Sequence, residues 1–131
     1  MKRKGASIIF LNSRKQVLLL LRDDKPDIPS PGIWDLPGGH IDSGETPKEC
    51  IVREMLEEIE MDVADCRPLS VYPFPDRTEY VFFLETDVEP EQITLHEGQM
   101  LRWFAESELP GLPLAYGFDR VLADFFIDCI C

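Results

Sequence analysis

Apolar and polar residues alternate along the chain in blocks that predict strands separated by turns. Apolar runs of strand length occur at 7–11, 17–22, 67–74, 79–86 and 100–105. The polar stretch 12–16 between the first two runs predicts a hairpin, and 75–78 predicts a turn between the third and fourth. The pattern therefore predicts five strands and leaves their pairing open.

The helical signal is strongest after residue 46. Thr46 is suited to cap the first turn, Pro47 to occupy the first helical position, and Glu49 to close a capping box. Apolar residues then recur at helical spacing and predict one buried stripe: Ile51, Val52, Met55, Leu56 and Ile59. Charged residues are expected on the other, exposed side: Arg53, Glu54, Glu57 and Glu58. This helix is thus expected to bury one face and to display carboxylates on the other.

The remaining segments predict loops, one extended piece and a second helix. Three prolines within 23–33 exclude regular structure there, and 34–41 is a short extended piece broken by the sequence Pro-Gly-Gly. A short helical turn and a loop are predicted for 106–114, and an amphipathic helix for 116–130. Strands before and after a central helix, followed by a second helix, predict an α/β sandwich.

Composition and charge restrict the class of protein. The 131 residues suit a single domain over 1–131, and 44% hydrophobic with 29% charged residues is typical of a globular protein. The chain carries 25 acidic against 13 basic residues, which gives a net charge of −12. Because such a surface repels a nucleic acid backbone, we expect no nucleic acid polymer as a partner.

The apolar segments and the cysteines argue against membrane and redox roles. The longest aliphatic run, 17–21, is far shorter than a membrane span, and the apolar stretch 8–11 is too short for a signal peptide core. We therefore expect a cytoplasmic protein without a membrane partner. The four cysteines lack metal-site spacing, so free thiols are expected rather than a zinc site or disulfides.

The carboxylates of the central helix suggest a metal site. Glu54, Glu57 and Glu58 stand three and four residues apart, so their charges repel one another on a helix. Hard divalent cations bind carboxylate and carbonyl oxygens, and a bound cation would turn this repulsion into attraction. Gly38 and Gly39 just upstream allow a backbone carbonyl to approach closely. A solvated acidic helix surface is the alternative, and the spacing alone leaves both interpretations open.

A longer segment around this helix resembles a known family signature. Residues 39–61, GHIDSGETPKECIVREMLEEIEM, resemble the signature of the Nudix hydrolases, GX5EX7REUXEEXGU with U aliphatic. The matching glycine and charged positions are Gly39, Glu45, Arg53, Glu54, Glu57 and Glu58. WDLPGG before the segment and HEGQMLRWF after it resemble the MutT-type branch. Glu60 replaces the late glycine, where a left-handed helix exit costs a non-glycine residue about 1 kcal/mol.

The resemblance implies a fold and an activity. The implied fold is a Nudix-type α/β/α sandwich with a mixed sheet and the signature helix on one face. The implied activity is divalent-cation-dependent hydrolysis of a pyrophosphate bond in a small-molecule nucleoside di- or triphosphate derivative, as in MutT-like removal of modified nucleotides. Mg²⁺ is the expected cofactor and Mn²⁺ the alternative ion. Hydrolysis of a nucleotide sugar or of ADP-ribose, or a catalytically silent nucleotide-binding module, are the other interpretations; retention of the box arginine and glutamates favours the enzyme.

The resemblance also assigns roles to single residues. It implies these metal ligands: the carbonyl of Gly39 and the carboxylates of Glu54, Glu57, Glu58 and Glu97. Glu54 matches a residue that binds metal or positions the attacking water, and Arg53 one that orients a catalytic glutamate. Glu57 is counted with the catalytic residues, and Glu97 resembles a loop glutamate that serves as ligand or general base. Glu45 matches a position with a supporting role near the metal.

Three residues are candidates for contacting the nucleotide. Arg22 matches a MutT-type position that contacts the nucleotide, with a plain strand-end arginine as an equal interpretation. Tyr116 stands where 8-oxo-dGTP diphosphatases of this branch carry a base-reading asparagine, which argues against that specificity. Tyr116 and Phe118 are candidates for stacking on a base, with a place in the core as the alternative. His96, beside Glu97, is expected to lie on a loop surface.

Overall fold

The computed structural model describes residues 3–24, 32–115 and 117–130. Its strands are β1 (Arg3–Leu11), β2 (Gln16–Leu21), β3 (Trp34–Asp35), β4 (Gly38–His40), β5 (Arg67–Pro73), β6 (Arg77–Glu85) and β7 (Met100–Ala105). Its helices are α1 (Pro47–Ile59), α2 (Phe118–Phe125) and the short 3₁₀ helices Pro90–Gln92 and Glu106–Glu108. A π-helical turn, Phe126–Ile130, follows α2 directly, so the α-helical part of the predicted terminal helix is shorter than expected.

The strands form one mixed sheet. Five of them run in the order β3-β2-β1-β6-β5, while β4 pairs with β1 and β7 pairs with β2. β1 and β2 pair antiparallel with Leu11 opposite Val17, so the predicted hairpin is present. β1 and β6 are parallel, with Arg3 opposite Arg77. The predicted mixed sheet is confirmed, and the central position of β1 answers the question of pairing that the sequence left open.

Both faces of this sheet are covered by helices. Alternate residues of β1 belong to two separate cores, because successive side chains of a strand point to opposite faces. Ile8 and Phe10 lie in one core together with Met55 of α1. Ile9 lies in the other core together with Phe125 of α2. The predicted α/β/α sandwich, with the signature helix on one face, is therefore confirmed.

The start of α1 has the predicted capping box. The Thr46 hydroxyl accepts a hydrogen bond from the Glu49 amide at 3.1 Å, and the Glu49 carboxylate accepts one from the Thr46 amide at 2.8 Å. These two bonds satisfy backbone amides that the first turn of a helix leaves without partners. The helix that carries the carboxylates therefore begins at a well-defined residue.

The buried face of α1 differs from the predicted stripe at two positions. Leu56 is 50% exposed, whereas Glu58 is only 6% exposed. Glu58 follows Ile51 by seven residues and Met55 by three, and this spacing places it on the same face as those two buried side chains. The predictions of a buried Leu56 and an exposed Glu58 are both wrong, and the helix buries one of its own carboxylates.

The chain leaves α1 through a left-handed residue, as the glycine of the signature would do. Glu60 has φ 54° and ψ 36°, and its amide donates to the carbonyl of Met55. A residue with a Cβ is disfavoured by about 1 kcal/mol in this conformation. The substitution at position 60 therefore preserves the exit geometry at a cost in stability.

The described cysteines are free thiols, and the described helices are short or polar. Cys50 and Cys66 are buried free thiols and Cys129 is an exposed one, while Cys131 lies outside the described residues. Within the same part of the chain, every helix is too short or too polar to span a bilayer.

Candidate active site

A cleft of about 670 Å³ brings together residues of α1, of several strands and of the loops beside them. Among the polar side chains that line it, two groups differ in their place in the fold. The first, here called the acidic cluster, consists of Glu54, Glu57, Glu58 and Glu97. The second, here called the strand wall, consists of Ser7, Arg22, Asp35, Arg77 and Glu79. Gly39 and Phe118 also border this cleft, whereas Arg53 and Glu45 lie behind the acidic cluster and outside the lining.

Several carboxylates surround Arg53. Its Nε donates to Glu45 at 2.6 Å, and its Nη2 donates to the other oxygen of Glu45 at 3.0 Å. Its Nη1 donates to Glu54 at 2.9 Å and to Glu57 at 3.2 Å. The planar guanidinium thus forms a bidentate pair with one glutamate while it fixes two others. This single cation cancels part of the repulsion among the carboxylates of α1.

Glu45 fixes Arg53 from outside the helix. Besides its two bonds to the guanidinium, Glu45 accepts a hydrogen bond from the Asp42 amide at 3.0 Å. The hydrogen bonds from Arg53 and from Asp42 lower the pKa of Glu45 to about 2. Glu45 therefore stays ionised, and it holds the guanidinium in one orientation.

Glu58 is the buried member of the acidic cluster. Burial raises its pKa strongly, and the neighbouring carboxylates of Glu54 and Glu97 raise this pKa further. The Oε2 atom of Glu58 is buried and has no hydrogen-bond partner in the part of the chain that the structure describes. Because an unpartnered buried carboxylate oxygen is costly, this atom needs a proton or a cation.

A loop before β7 brings Glu97 to the acidic cluster. The His96 amide donates to the carbonyl of Glu58 at 2.7 Å, and the Gln99 amide donates to the end of β2 at 2.8 Å. These bonds fasten the loop on both sides of Glu97, which is exposed but close enough to raise the pKa of Glu58. The His96 side chain is 51% exposed, as expected of a loop surface, but its Nε2 also contacts the Glu60 carboxylate.

The acidic cluster fits a hard divalent cation in its chemistry. Its side-chain donors are all oxygens, and Gly39 lies so close to Glu54 that a Cβ at position 39 would stand 2.3 Å from the carboxyl carbon. Among the described residues, however, no three acidic, histidine or cysteine side chains stand in a metal-holding arrangement. Arg53 holds the carboxylates of Glu54 and Glu57 instead. A cation bound here would share these two carboxylates with Arg53.

Arg22 and Asp35 form an ion pair within the strand wall. The Arg22 Nη1 donates to Asp35 Oδ2 at 3.0 Å. Burial raises the pKa of Asp35 to about 6, although the arginine acts in the opposite direction. The other carboxyl oxygen, Oδ1, is buried without a hydrogen-bond partner among the described residues. The pair thus places an arginine at the cleft and buries a carboxyl oxygen that has no hydrogen-bond partner among the described residues.

Arg77 and Glu79 form a second buried pair in the strand wall. The Arg77 Nε donates to Glu79 at 2.7 Å. The guanidinium carbon lies 4.6 Å from the ring centroid of Phe74 and 5.4 Å from that of Phe118. Phe118 is 4% exposed and belongs to the core beneath α2, so its ring reaches the cleft only at the edge. Most of the Phe118 side chain is therefore in the core, as the alternative interpretation expects.

Comparison with known proteins identifies the family. The model of the NUDIX domain matches residues 1–125. The chain belongs to the Nudix family. A putative 8-oxo-dGTP diphosphatase of Bacillus subtilis (strain 168) is 35% identical over 112 residues, which are 84% of this chain and 71% of that protein. An NAD-capped RNA hydrolase NudC of Pseudomonas aeruginosa is 28% identical over 130 residues, or 95% of this chain; the chain spans only 45% of that protein.

Solved structures share this Nudix fold. A MutT structure from a study of Aliivibrio salmonicida and Vibrio cholerae matches with a TM-score of 0.77 and 23% identity, over 97% of this chain and 98% of that one. Together with the family match, this confirms the predicted Nudix-type sandwich. The prediction of a Nudix hydrolase that acts on pyrophosphate bonds of nucleotide derivatives is confirmed as an enzyme class. Hydrolases of this family generally require divalent cations.

The candidates for nucleotide contact in this Nudix domain divide into two groups. Arg22 and Phe118 border the cleft, whereas Tyr116 lies outside the described residues, and its stacking on a base stays a prediction. Four residues of the strand wall were not predicted from the sequence: Ser7, Asp35, Arg77 and Glu79. The signal that marks them is weak, since it consists of polar residues at the ends of, or within, otherwise apolar strands.

Proposed function

We propose that this Nudix domain hydrolyses a pyrophosphate bond in a nucleoside di- or triphosphate derivative, with Mg²⁺ as its cation and Mn²⁺ as the alternative. The observation that carries the proposal is the buried and unpartnered Oε2 of Glu58 within the acidic cluster. A merely solvated acidic surface would leave its carboxylates in water, whereas this cluster buries one of them. Burial of a carboxylate beside other carboxylates is favourable only when a cation or a proton compensates it.

Five oxygen donors are proposed to hold the cation: the Gly39 carbonyl and the carboxylates of Glu54, Glu57, Glu58 and Glu97. When bound, the cation neutralises phosphate charge and favours ionisation of the attacking water. Glu58 carries a proton in the absence of the cation, because burial raises its pKa, and this proton must leave when the carboxylate becomes a ligand. Cation affinity is therefore expected to rise with pH.

Arg53 and Glu97 are proposed to serve orientation and proton transfer. Arg53 holds Glu54 at 2.9 Å and Glu57 at 3.2 Å while Glu45 fixes its opposite edge, so it restricts the directions of both carboxylates. Glu97 is exposed to the cleft and accessible to water, which suits a general base. Glu54 is the alternative residue for positioning the attacking water.

The strand wall is proposed to bind the nucleotide part of the substrate. Arg22 lines the same cleft as the acidic cluster, and a guanidinium there suits a phosphate oxygen. Tyr116, two positions before Phe118 in the sequence, is proposed to stack on a base, while Phe118 contributes only an edge to the cleft. The name of the Bacillus subtilis relative makes 8-oxo-dGTP the first compound to examine. Tyr116 at the position of a base-reading asparagine is the feature that argues against it.

A panel of nucleotides tests the proposal. It contains the ordinary deoxynucleoside triphosphates, 8-oxo-dGTP, ADP-ribose, a nucleotide sugar and NAD, each incubated with Mg²⁺ and analysed for nucleoside monophosphate and released phosphate or pyrophosphate. Glu57→Gln is the test variant. Glu108→Gln is the matched control, because Glu108 is an exposed glutamate outside the cleft lining. We expect the parent and the control to cleave at least one compound, and Glu57→Gln to lose that activity.

Two results would contradict the proposal. If the parent cleaves no compound, or if Glu57→Gln matches the parent, the hydrolase interpretation is wrong and a silent nucleotide-binding module is the remaining one. Chelation of divalent cations should stop the reaction, and added Mg²⁺ or Mn²⁺ should restore it.

We further propose that residues 1–131 work as one cytoplasmic domain on small nucleotides rather than on nucleic acid polymers. The family match over 1–125 and the net charge of −12 support this proposal. An RNA bearing an NAD cap is the compound that examines it most directly, since the Pseudomonas aeruginosa relative is a hydrolase of such RNA. Faster cleavage of capped RNA than of free NAD would contradict the restriction to small nucleotides.

A further inference from the structure

Glu60, which replaces the late glycine of the Nudix signature, contacts the loop that carries Glu97. Its carboxylate accepts a hydrogen bond from the Nε2 of His96. The amide of His96 donates to the carbonyl of Glu58 at 2.7 Å. The end of α1 is thus joined twice to the residue directly before Glu97. A glycine at position 60 has no side chain with which to make the first of these contacts.

We propose that Glu60 and His96 are positioning residues whose side-chain contact holds Glu97 at the acidic cluster, ready for the divalent cation. The proposal rests on the proposed function, because it requires a cation site at this cluster. Neither residue lines the cleft, so both act through the placement of Glu97 and not by touching the substrate or the cation.

The other side of the loop is fixed without these two residues. The amide and the side chain of Gln99 donate to backbone carbonyls at the end of β2 at 2.8 Å and 2.7 Å. Gly98, with φ +88°, packs so closely that a Cβ there would stand 2.5 Å from a leucine side chain of β2. On the side of His96, the loop is held by one backbone hydrogen bond, from the His96 amide to the Glu58 carbonyl, and by the contact with Glu60. Removal of that contact should therefore loosen one side of Glu97 and leave the other side in place.

The conformation of Glu60 supports a role beyond folding. Its φ of 54° lies in the left-handed region, where glycine is preferred, so glycine would serve the helix exit better. Within the part of the chain that the structure describes, the Glu60 side chain contacts His96, a contact that glycine could not make. The two side chains are 54% and 51% exposed, so the expected effect is modest: roughly two- to fivefold in an equilibrium constant.

Glu60→Gly separates positioning from folding, because it should weaken cation binding while it raises the stability of the fold. The substitution relieves the left-handed conformation, so the Tm without cation should rise. It also removes the contact with His96, so Mn²⁺ should bind more weakly. We expect the Kd for Mn²⁺, measured by electron paramagnetic resonance of the free ion, to increase roughly two- to fivefold. Amide hydrogen exchange at His96, whose amide donates to the Glu58 carbonyl, should become faster when it is measured without cation.

A small set of variants assigns this effect to the contact itself. His96→Ala should raise the Kd for Mn²⁺ as Glu60→Gly does, and the double variant should show no further increase. Glu60→Gln should retain most of the affinity, because its amide oxygen still accepts from the His96 ring. Glu108→Gln is the control for loss of an exposed ion pair, since Glu108 pairs with Arg102 at 3.2 Å outside the cleft.

The outcomes distinguish failure of this inference from failure of the proposed function. The inference is wrong if Glu60→Gly and His96→Ala bind Mn²⁺ as the parent does, or if their effects add in the double variant. The proposed cation site fails together with it if the parent binds no Mn²⁺, or if Glu58→Gln binds Mn²⁺ as tightly as the parent. Weaker Mn²⁺ binding accompanied by a higher Tm in Glu60→Gly supports the inference that Glu60 and His96 position Glu97.

Discussion

The acidic cluster and the strand wall line the same cleft but are assembled in different ways. Three of the four carboxylates of the acidic cluster lie within positions 54–58 of α1, and the fourth is on the loop before β7. The strand wall takes its side chains from β1, β3, β6 and the residue after β2. Functional residues on one helix recur at a recognisable spacing in the sequence. Functional residues that are brought together by strand pairing show no such spacing.

The two groups also differ in the charges that surround their buried carboxyl groups. Asp35 and Glu58 are both buried, and burial raises the pKa of each. Asp35 has Arg22 beside it at 3.0 Å, whereas Glu58 has Glu54 and Glu97 as neighbours. The strand wall therefore has an arginine beside its buried carboxyl group, while Glu58 requires a proton or a cation. This difference supports the proposals of cation binding at the acidic cluster and substrate binding at the strand wall.

Glu58→Gln should have the largest effect. Removal of a ligand that helps to neutralise phosphate charge is expected to lower kcat/KM on the order of 1000-fold. The same substitution should raise the Tm without cation, because a folded-state pKa above the unfolded value makes the parent lose stability as pH rises past 4.5. Activity assays and thermal unfolding at pH 6 and pH 9 measure both effects. A variant with near-parental activity would remove Glu58 from the proposed ligands.

Arg53→Lys should have the second largest effect. Lysine lacks the planar fork that bonds Glu45 on one edge and Glu54 and Glu57 on the other. We expect kcat to fall about 10- to 100-fold with little change in KM, as for groups that orient ligands. Steady-state kinetics with the substrate found in the nucleotide panel measures kcat and KM separately. A change confined to KM would instead place Arg53 among the substrate-binding groups.

Arg22→Gln should affect binding more than chemistry, in contrast to the variants of the acidic cluster. Loss of a charged hydrogen-bond donor to a phosphate is expected to raise KM about tenfold while kcat changes little. Arg102→Gln is the matched control, because Arg102 is exposed and outside the cleft lining. If kcat falls and KM stays constant, the functional difference between the two groups does not hold.

Asp35→Asn should give the smallest effect, on stability as a function of pH. The pKa of Asp35 is raised from 3.8 to about 6 by burial, so the folded state holds its proton more tightly than the unfolded state. The stability this provides is present below pH 3.8 and is lost as pH rises through about 6. Relative to the variant, the parent should lose about 1 kcal/mol of unfolding free energy between pH 5 and pH 8, measured by urea denaturation. If the difference in unfolding free energy between parent and variant stays the same from pH 5 to pH 8, Asp35 is ionised throughout this range.

Local features of the fold were predictable because neighbouring residues decide them. The capping box of Thr46 and Glu49 and the hairpin from β1 to β2 follow from short-range rules, and the structure contains both. The sequence left the helix exit at position 60 open, because Glu60 replaces the glycine of the signature, and the structure retains the left-handed conformation. Helical periodicity alone, however, assigned Leu56 and Glu58 to the wrong faces, because the limits of a buried stripe depend on what packs against it.

The candidate site was predictable only as far as the signature extends. The positions of Arg53 and Glu54 follow from their place on one helix, but the bidentate partner of Arg53 is Glu45, which lies before the helix. The pairs of the strand wall depend on tertiary packing: Asp35 lies opposite Leu20 in the sheet and so comes beside Arg22. No spacing along the chain encodes such a neighbour.

The sequence by itself determined the family signature, the capped helix and the presence of four glutamates suited to a cation, because these features reside in one continuous segment and one flanking loop. Only the tertiary structure decided which glutamate is buried, how the loop with Glu97 is fastened to the end of α1, and which charged residues form the strand wall. The physical reason is that burial and long-range ion pairs depend on strand pairing and helix packing, which bring together residues distant in sequence.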